Sequence, residues 1–227
     1  MMDSAIDERY PAGRLQGLWR YPVKSLAAEA LASVSVGAFG LEGDRERALF
    51  VASAGHARAG KPYRGKEHNL LHTVGSVEAG IDLAAGRAVE VRPRGGGPHF
   101  DDGVVSIVFD TWIAELEALV GRPLDPLRFR PNLYVAAEPG FAQREADLVG
   151  ARIVVDAVAF EVVNPIERCV TPSYDVATGE SDPLVLRAVA RDRGNVLGVY
   201  CTVATGGTLV RVARVAIRAR PLSVTRK

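Results

Sequence analysis

Short segments rich in Val, Ile, Leu and aromatic residues, many of them alternating apolar with polar positions, recur along the chain between glycine and proline punctuation: RLQGLWRYPV, LASVSV, RERALFVAS, RAVEVRPR, VVSIVF, LRFRPNLYVAA, ARIVVDAVAFEVV, NVLGVYCTV and TLVRVARVAIR. Successive side chains of a strand point to opposite faces, so these runs predict half-buried β-strands. Two segments carry helical spacing instead. DTWIAELEALVGRP offers Asp110 as N-cap, one stripe of Trp112, Ile113, Leu116, Leu119 and Val120, and Gly121 with Pro123 as a stop. SDPLVLRAVARDRG places Asp182 as cap, Pro183 at the first helical position and Gly194 past the end. Both predict amphipathic covers for a sheet.

Many strands, few helices and no regular strand–helix alternation predict a mainly β, α+β fold of barrel-like antiparallel or mixed sheets rather than a doubly wound parallel sheet. No G-x-G-x-x-G follows the first strand and there is no Walker-type lysine loop, which lowers dinucleotide and nucleoside-triphosphate enzymes in rank. The glycine-rich run RPRGGGPHFDDG, residues 92–103, reads as a connection and sets a loose boundary.

At 227 residues, 48% of them hydrophobic, the chain can bury a full core without staples. Its 28 Lys and Arg against 27 Asp and Glu leave no basic excess of the kind that drives nucleic-acid or membrane-surface binding. The start, MMDSAIDERYPAGR, is acidic and polar where a secretory signal is basic and then apolar, and no stretch approaches the ~18 apolar residues of a membrane span. A cytoplasmic location is expected. The two cysteines, Cys169 and Cys201, are 32 positions apart, so there is no metal knuckle or redox pair, and a disulfide is not expected in a reducing compartment.

Cys169 lies in NPIERCVTPSYDVATGE, between an apolar strand and a stretch of Pro, Asp, Thr and Gly that reads as loop. A buried, inert thiol is the ordinary alternative, but the preceding Arg168 favours the thiolate. Cys201, in LGVYCTV, reads as core. Arg128, Arg130 and Asn132 alternate in RFRPN, which on a strand puts all three on one face, either facing solvent or awaiting an anion. His56, His68, His72 and His99 form no zinc spacing, although His68 and His72 would share a helix face. Glu167 and Asp175 flank Cys169 and could relay protons; for Asp175 a turn role is the favoured reading.

Taken together and in order, YPVKSL, GLEGDR, RFRPNLYV, ERCVTPSYDVATGE and NVLGVYCTV resemble the MOSC family, the C-terminal domain of molybdenum cofactor sulfurases. The branch most similar has an N-terminal β-barrel and includes the mitochondrial amidoxime-reducing component and its bacterial relatives. The similarity runs from about residue 14 to about residue 218. It implies a MOSC-type β-barrel with a few covering helices over 104–220, preceded by a smaller β-barrel-like domain over 14–95. It also implies a molybdenum-pterin cofactor, with Cys169 at the position of the protein's metal ligand and catalytic sulfur; a thiolate is a soft donor suited to a redox metal. Lys24 and Ser25 match the positions that hold the cofactor's phosphate, an ammonium beside a hydroxyl at a strand end. Arg45, Arg130 and Asn132 match cofactor-gripping positions, and Asp175, Thr178 and Gly179 follow Cys169 as in the family's motif. The family's Thr-Ala-Arg-Gln-like motif is replaced here by ARAGKPYRGKEHNLLHTV, with Arg58, Lys61, Arg64 and Lys66 as candidate substitutes.

Three functions follow from this resemblance. The first is an oxidoreductase that reduces N-hydroxylated or similar small substrates; no flavin, haem or iron–sulfur motif is recognisable, so a separate electron-donor reductase is implied. The second is a sulfur or cofactor carrier that serves a cofactor-using enzyme through a Cys169 persulfide. The third is a metal-free binding domain whose basic pocket takes another phosphorylated ligand; separately, the family resemblance carries an association with pyridoxal phosphate binding. Loss of Cys169 abolishes the first two functions and spares the third.

Overall fold

The computed structural model describes residues 9–51, 57, 59–63, 72–83, 89–93, 99–100 and 102–219. In chain order the elements are β1 (Arg9–Arg20), β2 (Glu29–Ala30), β3 (Ser33–Gly37), β4 (Gly40–Leu41), β5 (Arg47–Val51), α1 (Val77–Leu83), β6 (Val89–Pro93), β7 (Val105–Phe109), α2 (Asp110–Val120), β8 (Leu133–Ala137), β9 (Arg152–Val155), β10 (Val158–Glu167), α3 (Pro183–Asp192), β11 (Val196–Thr205), β12 (Gly207–Val210) and β13 (Arg214–Arg218). No helix among the described residues is long and apolar enough to cross a membrane.

Seven strands close a barrel in the order β1, β8, β7, β11, β10, β9, β13, with β13 pairing back to β1. Every neighbouring pair is antiparallel except β7 and β8. A parallel pair needs a crossover, and α2 supplies it. The N-terminal strand is thus part of the barrel wall, held by β13 over its first half and by β8 over its second. At the handover Gly13 has φ 151°, and a Cβ there would lie 2.1 Å from the carbonyl oxygen of Ala136, so the bend needs glycine.

Leu15, Ile107, Leu133, Ile153, Phe160, Val199 and Ile217, one from each wall strand, are fully buried in a single core. Trp112, Ile113 and Leu116 of α2 and Val185 and Val189 of α3 extend that core over the outside of the wall. All five side chains of β7 are buried, because one of its faces lines the barrel and the other is covered. A smaller cluster of Val23, Leu26, Leu49, Val51 and Tyr63 lies under the β5–β6 pair, and β12, β3 and β4 form a separate three-stranded sheet.

Several local expectations need correction. RFRPN is not a strand: Pro126–Phe129 is a 3-10 turn capped by Asp125, and Arg130 sits in the left-handed region at φ 49°, so β8 begins only at Leu133. Arg128, Arg130 and Asn132 therefore do not share a strand face. Pro131 explains the break, since it cannot donate to a ladder. Asp110 is the first residue of α2 rather than its cap; its carboxylate accepts from the Thr111 and Ala137 backbone amides at 2.7 and 2.9 Å and ties the helix to β8. Leu119 leaves the predicted stripe and is 46% exposed. For α3, by contrast, Asp182 caps and Pro183 opens the helix as the sequence predicts. The run TLVRVARVAIR is two strands broken at Val212, whose φ of 67° makes the turn. The short α1 was not predicted, and half of the glycine-rich connection, 94–98 and 101, falls outside the described residues.

Candidate functional site

Strand ends and turns at one end of the barrel surround a cleft of about 270 Å³. Cys169, two residues beyond β10, is exposed there, and its thiol donates to the Thr171 hydroxyl at 3.2 Å. Lys24 and Ser25, just after β1, line the same cleft; the Lys24 ammonium donates to the Phe100 carbonyl at 3.4 Å, and Ser25 has φ 74°. Arg45 and Arg130 also line it, each at a left-handed turn residue, so both project from turns rather than from strands.

Arg128 and Arg168 complete the cationic wall. Arg128 is only 4% exposed; it donates to the Pro172 and Ser173 carbonyls and to Asp175 at 2.7 Å. The Arg168 guanidinium donates to the carbonyls of Leu197 and of Phe129, the latter at 2.9 Å, and burial pulls its pKa down to about 10. The side chain at Arg168 is thus hydrogen-bonded to backbone carbonyls while its charge still couples to Cys169, whose thiol bonds to Thr171. Gly198 permits this packing, since at φ 92° a Cβ would meet Arg168 Nη2 at 3.0 Å. Among the described residues, five cations of the cleft wall face two carboxylates, Asp102 and Glu167. Such an excess in a partly enclosed cleft favours an anionic ligand.

Two residues matched by the resemblance stand behind the wall. Asn132 is buried, and its side chain accepts from Ser106 N and Oγ at 3.1 and 3.0 Å and from Arg45 at 3.4 Å while donating to the Trp19 carbonyl at 3.2 Å. It joins β1, β7 and Arg45 and does not itself reach the cleft. Asp175 likewise acts from outside: it accepts from the Ala177 and Thr178 amides and from Arg128, bonds that hold its pKa below the usual carboxylate value. This is the turn role, with an added grip on a wall arginine.

His72 was missed as a site residue. It lies in the segment that replaces the family's Thr-Ala-Arg-Gln-like motif, lines the cleft and is 7% exposed. A guanidinium can only donate, so the 3.3 Å contact from Arg130 makes His72 Nδ1 the acceptor and leaves the ring proton on Nε2. The only sequence signal was its place in that segment. Lys61 is exposed and lies outside the cleft wall, while Arg58, Arg64, Lys66, His56 and His68 lie outside the described residues. Cys201 is wholly buried in β11, and burial pushes its thiol pKa up. A thiol reagent applied to the native protein therefore labels Cys169 alone, with Cys201 reacting only on unfolding; peptide mapping after iodoacetamide treatment reads this directly.

A family model for the MOSC domain matches residues 96–216, more than half of the chain. The chain belongs to the MOSC domain family. This MOSC protein is similar in fold to the YuaD protein from Bacillus subtilis, with 18% identity, a TM-score of 0.57, and 93% of this chain and 98% of that one covered. YiiM from Geobacillus stearothermophilus matches at 20% identity and a TM-score of 0.42, over 54% of this chain and 57% of that one. YiiM from Escherichia coli matches at 13% identity and a TM-score of 0.46, over 93% and 70%. No curated protein sequence matches the chain. The family is associated with molybdenum cofactor binding, and the mainly β barrel with few helices is the MOSC fold.

Proposed function

We propose that the cleft binds the phosphorylated pterin of the molybdenum cofactor, that Cys169 ligates the metal, and that the protein is an oxidoreductase acting on N-hydroxylated or similar small substrates. The observation that supports this most is the meeting of five cationic side chains with one exposed thiol in a single cleft. The donor set suits the group: phosphate takes Lys24, Ser25 and arginine forks, and a soft metal takes thiolate. When bound, the cofactor supplies a metal that exchanges electrons and oxygen with a substrate. The chain's own part is to hold it. Lys24, Arg45 and Arg130 neutralise the ligand's charge, Thr171 orients the sulfur of Cys169, and Asn132 and Asp175 fix the arginines from behind. Glu167, exposed at the cleft wall beside Cys169, is placed to carry a proton to a bound substrate. Electrons come from a separate reductase, since the sequence has no motif for a second redox group.

Exposure of the Cys169 thiol favours a second reading, in which it carries a persulfide or presents the cofactor to a cofactor-using enzyme. Molybdenum content and Cys169 modification together separate the enzyme from a persulfide carrier. Produced in a host that makes the cofactor, the wild type holds near-stoichiometric molybdenum by elemental analysis, and Cys169→Ser and Lys24→Ala each lose most of it. Absence of molybdenum from folded wild type sinks the enzyme reading, and mass spectrometry for a persulfide on Cys169 then tests the carrier.

A further inference from the structure

We infer that Tyr21 is the positioning residue of the cleft's anion clamp, its ring setting the spacing of Arg45 and Arg130 so that together they grip a phosphoryl group. The inference rests on the reading that the cleft binds a phosphorylated ligand and adds the means by which it is recognised.

Both guanidinium groups lie over one ring, with Cζ of Arg45 4.7 Å and Cζ of Arg130 4.1 Å from its centroid. The ring itself is immobilised. Tyr21 is buried, its amide donates to Asp44 Oδ1 at 2.7 Å, its carbonyl accepts from the Arg45 amide at 2.7 Å, and its hydroxyl donates to the Pro131 carbonyl at 3.0 Å. Burial drives the phenol pKa to about 12, so the ring stays neutral and presents an electron-rich face to both cations. One side chain thereby joins three segments distant in sequence: 21–25, 44–45 and 130–132.

The two arginines need such a fixture because neither sits on a regular element. Both have left-handed backbones, at φ 50° and 49°. Buried Asp44 pairs with Arg45 and offsets one of the two charges, and the net positive charge that remains at the ring is what an oxyanion held between the two guanidinium groups neutralises. A phosphate monoester has the charge and the oxygens to accept from both forks at once. A flexible aliphatic residue at position 21 fills space but gives the cations no face to rest on.

The test is calorimetric titration of the full chain with inorganic phosphate at fixed ionic strength, for wild type, Tyr21→Phe, Tyr21→Leu and Tyr21→Met, with thermal melting recorded for each. Tyr21→Phe keeps the face and is expected to bind phosphate within about twofold of wild type, whereas the two aliphatic variants bind roughly tenfold more weakly. Two aliphatic shapes are used so that one folded variant is available for comparison. Equal phosphate affinity in the aromatic and aliphatic variants overturns the inference, as does a wild type that binds no phosphate. Aromatic-dependent phosphate binding in a protein that never takes up molybdenum leaves the clamp standing and removes the cofactor. Molybdenum in the wild type with phosphate binding indifferent to position 21 does the reverse.

Discussion

Replacing Arg193 with alanine lowers the free energy of unfolding by about 3–5 kcal/mol, because it strands a buried carboxylate. The Arg193 side chain is 3% exposed where α3 ends; it donates to Glu115 and, at 2.6 Å, to Glu145. Glu145 is itself buried and accepts from the Gly198 amide at 3.1 Å. Gly198 lies against Arg168 of the cleft wall, so this ion pair is linked to the site through β11. Urea unfolding measures the loss. Adding Glu145→Gln to the Arg193→Ala background recovers about 1–2 kcal/mol, since the amide keeps an oxygen for Gly198 without a buried charge. A loss below about 1 kcal/mol in the single variant refutes this account.

Acidification gives the second large effect, through His72. Burial, and after it the charge of Arg130, holds the folded-state pKa down to about 3 from the ordinary 6.5. The unfolded chain therefore takes up a proton at His72 between pH 6.5 and 3 that the native chain refuses. Stability rises with pH wherever the unfolded state binds more protons, so the native advantage is complete above pH 6.5 and declines as pH falls toward 3. One proton corresponds to roughly 1.4 kcal/mol per pH unit, or about 2 kcal/mol between pH 6.5 and 5. Denaturant melts at pH 7 and pH 5 read this decline, and His72→Gln, with no group titrating there, flattens it. An unchanged slope in His72→Gln assigns the acid sensitivity to other groups.

Both effects fall on residues that the sequence pattern had left unassigned. Arg193 reads as one more charge near a helix end, and Glu145 as a loop carboxylate; only the packing of α3 against β11 and the loop before β9 takes them out of water together. His72 was one of four scattered histidines until the fold placed it against Arg130.

What the sequence determined by itself was the set of elements and the chemistry of single residues. Short alternating or continuous apolar runs marked the wall strands, since one buried face imposes a period of two and two buried faces, as in β7, give an unbroken apolar run. Asp182, Pro183 and Gly194 marked the bounds of α3, because caps and prolines act through the local backbone. Five short motifs carried the family. The tertiary structure decided everything that depends on distant segments meeting. It turned RFRPN from a strand into a left-handed turn, and put Asn132 and Asp175 behind the cleft wall rather than on it. It gave the Arg168 guanidinium its hydrogen bonds to the Leu197 and Phe129 carbonyls and gave the neighbouring thiol its bond to Thr171. The physical reason is common to all of these. A guanidinium, a carboxamide or a carboxylate has several hydrogen-bonding atoms to satisfy once buried, and which partners satisfy them is set by closure of the barrel, not by sequence neighbours.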